Sequence, residues 1–205
     1  MTLPLVKAHR ILACGLGLFL ISHFAIHLTA IGGAELHLNV LDKFQGVYRN
    51  LLIEPLLFLA IVTQIFIGAK LVWRRWKQPA KGFWGWAQIL SGFYLIFFFI
   101  LHTSAALSTR YLVGLDTNFY WAAGTLNVGA LKYFFAPYYF LGVLSVFTHL
   151  AAAIYFGWSG KGKIASKLIL LLGVIIASLI VCAFGGVFYD ISLPPDYIDY
   201  YESFR

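Results

Sequence analysis

The chain has 205 residues, of which 61% are hydrophobic and only 11% are charged. A soluble domain of this size carries about a quarter charged residues, so the composition excludes an ordinary soluble enzyme. It points instead to an integral membrane protein forming one compact, all-α bundle.

Charge-free runs mark five spans in chain order: Ile11–Ala34, Pro55–Ala69, Gly82–Thr109, Tyr133–Gly160 and Leu168–Tyr189. A membrane helix needs about 20 apolar residues. The second run is short, but it reaches full length if Glu54 and Lys70 snorkel. The expected spans are then about 10–34, 50–73, 82–109, 133–158 and 167–189. They form a single transmembrane domain over residues 1–205, with no internal repeat and no second domain. The start, "MTLPLVKAHR", runs into a full-length span without an A-x-A cleavage site, so no removable signal peptide is expected.

Five spans place the N-terminus and the second and fourth connections on one side. That side carries Lys7, Arg10, Lys70, Arg74, Arg75, Lys77, Lys81, Lys161, Lys163 and Lys167, and no acid. The other side carries the remaining five basic residues and all eight acids. Lys and Arg concentrate on the cytoplasmic side of membrane proteins. The N-terminus is therefore expected inside and the acidic tail, "DISLPPDYIDYYESFR", outside. The net charge of +7 is thus a topology signal rather than a nucleic-acid signature, and it suits a partner docked on the inner face. The outer connections Glu35–Arg49 and Arg110–Lys132 are long. The second contains the aromatic "NFYWAAGTLNVGALKYFF", which either lies at the interface, folds back over the bundle mouth or forms a plain loop.

Cys14 and Cys182 fall at opposite ends of different spans, so no disulfide is expected between them. There is no C-x-x-C, no Gly-rich phosphate loop and no Ser/His/Asp pattern. The chemistry rests on the histidines. An ionisable group inside a span is costly and needs a partner or a function.

Helix rise sets the depth of each. His23 is fourteen residues beyond His9, about 21 Å along the first span. His102 falls late in the third span, which runs in the same direction, so both lie in the outer half. His149 lies about 22 Å from the outer end of the fourth span, in the inner half. Gln64 on the second span is expected to face it. Two imidazoles at matched depth on different helices can clamp a haem iron from both faces. The small residues Gly68, Gly142 and Ser145 near Gln64 and His149 leave room for a flat macrocycle, although they also serve plain helix packing. His27, one turn beyond His23, is expected in a non-ligand role but stays an alternative to His23. His9 and His37 are expected to be solvated at the interfaces.

Over residues 7 to 160 the chain resembles the single-polypeptide, five-helix cytochrome b anchor of succinate dehydrogenase and fumarate reductase, the succinate:quinone oxidoreductases. The residues that carry the resemblance are "HRILACGLGLFLISH" in the first span, "QIFIG" in the second, "QILSGFYLIFFFILH" in the third and "GVLSVFTH" in the fourth. The resemblance implies a haem-binding bundle of the first four helices with a peripheral fifth. It implies an outer haem b on His23 and His102, and His149 as half of an inner pair. The second span departs from the family in placing Gln64 where a histidine stands. An imidazole is the better iron ligand. One haem is therefore expected, and the second is open: absent, bound through His149 alone, or ligated with help from another group.

The same resemblance implies flavoprotein and iron–sulfur subunits on the cytoplasmic face, a membrane quinone as redox partner, and a bacterial inner-membrane location. The dicarboxylate chemistry would lie on the partner subunits. Arg110 becomes a candidate propionate partner, or else an interfacial anchor. Glu54 could handle a proton near the outer haem, and His9 with Arg10 resembles the "HR" near inner quinone sites; plain interfacial charges are the alternative for Glu54 and Arg10. Two other function classes compete. One is a stand-alone cytochrome b for transmembrane electron transfer or redox sensing. The other is a haem-free structural or transport protein.

Overall fold

A computed structural model describes residues 3–79, 82–158, 160 and 162–204. Lys81, Lys161 and Arg205, which entered the charge count above, lie outside the described residues. Those that are described form α1 (Leu3–Leu28), α2 (Ala34–Tyr48), α3 (Ile53–Trp76), α4 (Gly82–Ser108), α5 (Phe119–Asn127), α6 (Lys132–Gly157), α7 (Gly162–Phe184) and α8 (Pro195–Glu202). A 3-10 turn (Thr29–Gly32) extends α1, and a π-helical turn (Thr109–Val113) extends α4. Five of these helices, α1, α3, α4, α6 and α7, are long and apolar enough to cross a membrane. Their bounds follow the charge-free runs, extended at the basic end because Lys7, Arg74 and Arg75 are carried in helical turns.

Local chemistry sets the ends. Gly33 leaves the 3-10 turn at φ 113 and Gly114 leaves the π turn at φ 78, conformations that a side chain disfavours. The Asn118 side chain accepts from the Tyr120 amide at 2.9 Å and caps α5. Pro195 opens α8, where its missing N–H costs nothing.

The spanning helices do not make a four-helix bundle with an outlier. α3 packs on α1 and α4, α4 on α6, and α7 packs on α6 while also reaching α1. The fifth helix, expected to be peripheral, closes the ring between α6 and α1. The reason is visible in its sequence. Gly173 lies against Phe147 of α6 so closely that a Cβ would collide with the ring, and Ala177 and Ala183 are fully buried. Such small residues let two membrane helices approach. Large side chains such as Leu18, Ile21, Leu59, Phe66 and Leu168 point outward, as a lipid-facing surface requires.

The two long connections, between the first and second and between the third and fourth spanning helices, are structured. α2, α5 and α8 gather over the end of the bundle remote from the basic connections, here called the capped end. Phe119, Ala30 and Ala123 are fully buried there among Val143, Ile180 and Phe184. The acidic tail is tied down rather than loose. Tyr201 donates to the Trp121 carbonyl, Tyr197 to the Asp116 carbonyl at 2.9 Å, and Tyr200 shares a 2.9 Å hydrogen bond with Thr109. Burial raises the Tyr197 phenol to about 12, and the neighbouring Asp116 carboxylate adds to that. Of the three readings for the aromatic segment, the structure shows the fold back over the bundle mouth.

Candidate functional site

Inside the capped half lies a cavity of about 230 Å³. Its wall is mostly apolar, with a few polar groups converging on it: His23 and His27 from α1, His37 from α2, Glu54 from α3, and His102 and Arg110 from the α4 rod. A mostly apolar hollow with a few placed polar groups is the usual form of a cofactor or ligand site.

His23 and His102 meet as expected from depth. Their ring centroids are 6.2 Å apart and the planes lie at 71°. A metal–imidazole bond is about 2 Å long, so two rings bound to one metal from opposite sides have centroids about 6 Å apart. Phe98 stacks on His102 at 5.1 Å and Phe19 on His23 at 5.3 Å, which fixes both rings from behind.

His27 is not a bystander. Its Nε2 shares a 3.1 Å hydrogen bond with His23 Nε2. His37 was expected in water, yet it is 1% exposed. It stacks on His27 at 5.7 Å and 18°, with Phe119 and Phe184 edge-on. Burial holds its ring at about 4, well below the ordinary histidine range, so it is neutral. Both ring nitrogens of His37, and Nδ1 of His27, are buried with no hydrogen-bond partner. Buried polar atoms of this kind call for an occupant or a role. Sequence reasoning missed His37 because its burial depends on α5 and α7, which are remote in the chain.

Arg110, a candidate propionate partner, is already engaged. It donates to Glu54 and also to the Tyr111 hydroxyl at 2.9 Å, while Tyr111 donates to the other Glu54 oxygen at 3.0 Å. Glu54, in the first turn of α3, is thus paired with both Arg110 and Tyr111. Nearby, Arg49 donates to Asp116 at 2.8 Å and to the Thr117 hydroxyl at 3.2 Å, closing the wall.

The basic half differs from expectation. The structure brings His9 to His149, with ring centroids 6.3 Å apart, where Gln64 was expected as the facing residue. Gln64 instead donates from Nε2 to the His9 carbonyl at 3.4 Å. Helix rise alone gave Gln64 its level, but it could not show that the His9 side chain is the one that meets His149. Gly68 lies under the His9 ring, 3.8 Å from where a Cβ would sit, and buried Ser145 is on the His149 helix. Gly142, by contrast, serves packing against Phe98.

No protein-family model, curated protein or solved structure matches the chain. What the fold and site define is therefore a class: an all-helical protein with five helices fit to cross a membrane and a histidine-walled cavity in one half of their bundle.

Proposed function

We propose that this chain is a membrane cytochrome b: the anchor subunit of a succinate:quinone oxidoreductase type of complex, passing electrons between iron–sulfur and flavin subunits and a membrane quinone. The observation that supports it is the His23–His102 pair, two rings from different helices at the wall of a mostly apolar cavity, close enough together that they would hold one haem between them.

The fit to haem b has three supports. The spacing suits one metal between two imidazoles. A haem would need only two side chains from the protein, and His23 and His102 would supply them. Among the described residues no three His, Cys, Asp or Glu groups are arranged to hold a bare ion. The cavity is smaller than the roughly 300–1,000 Å³ common for ligand sites, so loading requires side chains to part. For His23 to hold a haem through Nε2, its hydrogen bond to His27 would have to open.

A haem held by His23 and His102 would supply one-electron transfer near the capped end. The protein's own contribution is mechanical and electrostatic. Phe19 and Phe98 hold the ligand rings, α5 and α8 exclude water, and the Glu54–Arg110–Tyr111 group offers the proton-exchanging atoms beside the cavity. The basic end, with Arg74, Arg75, Lys163 and Lys167, is the docking face for the soluble subunits. The chain lies in the bacterial inner membrane with that end cytoplasmic, as the excess of Lys and Arg indicates.

The test is a reduced-minus-oxidised spectrum of the purified protein. An α-band of a low-spin haem b, lost in both His23→Ala and His102→Ala, is expected. A spectrum without a haem band overturns the reading in favour of a haem-free protein. Flavin and iron–sulfur proteins should co-purify from native membranes; a haem protein that comes alone is the stand-alone cytochrome.

A further inference from the structure

We propose that the outward face of α3 at the basic end is a binding site for the headgroup of an anionic phospholipid, held by Lys70, Arg74 and Lys77 around Trp73. This needs only a membrane-spanning α3 and does not rest on the haem reading.

Leu59, Val62, Phe66, Lys70, Trp73 and Lys77 recur every three or four residues, so they form one stripe along the helix. All are exposed on the outside of the bundle, Phe66 at 66% and Trp73 at 57%. The other side of α3 carries Gln64 and Gly68, which lie against His9 of α1. The stripe is apolar for most of its length and turns cationic only toward the basic end. Arg74, one turn beyond Lys70, stands at its edge and is also exposed.

Depth decides what can reach this face. Lys70 precedes Lys77 by seven residues, about 10 Å along the axis. It therefore stands well inside the spanning helix, on the flank where Phe66 meets hydrocarbon. A lysine there extends its stem along the helix and brings its ammonium up to the level of the lipid phosphates. A soluble protein docked on the end of the bundle does not reach this flank, whereas a lipid lies against it. Arg74 borders both the flank and the end face.

The charge calls for an anion. All eight Asp and Glu residues of the chain lie toward the capped end. The two ion pairs among the described residues, Arg49–Asp116 and Glu54–Arg110, are there too. No carboxylate of this chain offsets Lys70, Arg74 or Lys77. A zwitterionic headgroup would bring a further cation into the group. Trp73, the ring on this face that could receive a choline, already carries the Lys77 ammonium at 5.0 Å. A headgroup of net negative charge brings a phosphate for the Arg74 fork and the Lys70 ammonium without adding a cation.

The helix end that presents these groups is fixed. Five of the six tryptophans, Trp73, Trp76, Trp84, Trp86 and Trp158, are at the basic end, where their rings suit the headgroup level. Trp76 meets Trp86 of α4 edge-on at 5.7 Å, and Trp84 stacks on Tyr155 of α6 at 5.2 Å. Arg75 of α3 lies 5.8 Å from the centre of the Phe156 ring of α6. These contacts close a ring through α3, α4 and α6. They also commit Arg75 to α6 and leave Lys70, Arg74 and Lys77 facing out.

The experiment uses the full-length protein, purified from membranes in its native assembly. Thermal unfolding is compared in nanodiscs of phosphatidylcholine alone and of phosphatidylcholine with phosphatidylglycerol. Mass spectrometry counts the phospholipid that stays bound through purification. Wild type should keep anionic phospholipid and unfold several degrees higher in the phosphatidylglycerol discs. Lys70→Gln/Lys77→Gln should retain severalfold less lipid and lose most of that increment, while melting like wild type in phosphatidylcholine. Lys70→Arg/Lys77→Arg should keep both, which guards against a folding defect. Lys163→Gln/Lys167→Gln, which removes the same charge from α7, should also keep both. Equal unfolding of wild type in the two discs, with no anionic lipid retained, overturns the proposal. Equal losses in the α3 and α7 variants overturn it in favour of diffuse attraction to a charged surface. Loss of soluble subunits rather than of lipid from the α3 variant overturns it in favour of a protein partner on this face.

Discussion

Arg110 on the π turn after α4 donates to Glu54 in the first turn of α3, joining residues 56 positions apart across the capped end. Both side chains are largely buried, 18% and 17% exposed. Removing one member of such a pair leaves the other charge stranded.

Glu54→Gln should therefore destabilise the protein by about 1–2 kcal/mol, less than a fully buried pair because water still reaches both groups. Arg110→Met should cost a similar amount. The double variant should recover part of the loss, which thermal unfolding of all four proteins in one detergent measures. Strictly additive losses would show that the two side chains do not interact.

The His23–His27 hydrogen bond separates two ligand assignments. His27→Leu should keep the haem and leave His23 freer to bind, whereas His23→Leu should lose it. A spectrum that survives His23→Leu and collapses in His27→Leu would exchange the roles of the two rings.

His37 makes stability depend on pH. Its ring is neutral when folded and titrates at about 4, while an unfolded histidine titrates near 6.5. The unfolded chain takes up the proton first as pH falls. The stabilising contribution of His37 is complete above about 6.5 and is lost progressively between 6.5 and about 4. Wild type should lose several degrees of unfolding temperature on acidification through this window. His37→Gln should lose less over the same range, because carboxylates that titrate there are common to both proteins. Parallel curves would assign the acid sensitivity elsewhere.

The cap is held by close packing. A Cβ on Gly124 would collide with the Tyr201 ring, whereas one on Gly17 meets nothing within 4 Å. Gly124→Ala should cost about 1–3 kcal/mol. Gly17→Ala should be neutral or gain up to about 1 kcal/mol, as alanine favours a helix. Equal effects of the two substitutions would mean that α8 does not seat on α5.

The sequence carried the spans and the level of His23 and His102, because both depend on local quantities: hydropathy, charge and helix rise. It could not carry what depends on rotation and tilt. Gln64 and His149 were matched by depth, but which side chain α3 turns toward α6 is set by packing around the whole ring. His37 lies in a polar, charge-bearing segment, and only the arrival of Phe119 and Phe184 buries it. The Glu54–Arg110 pair was more accessible. Opposite charges ended two neighbouring spans on one side, and reading them separately as a proton group and a propionate anchor missed their simplest partner, each other.

The wide turn at Thr109–Val113 has an evolutionary reading. Such turns behave as a single inserted residue within an α-helix. A relative lacking that residue would have everything downstream rotated by about 100°. A different side chain would then confront Glu54. Ancestral reconstruction of this bulge would show whether the acid or the base arrived first.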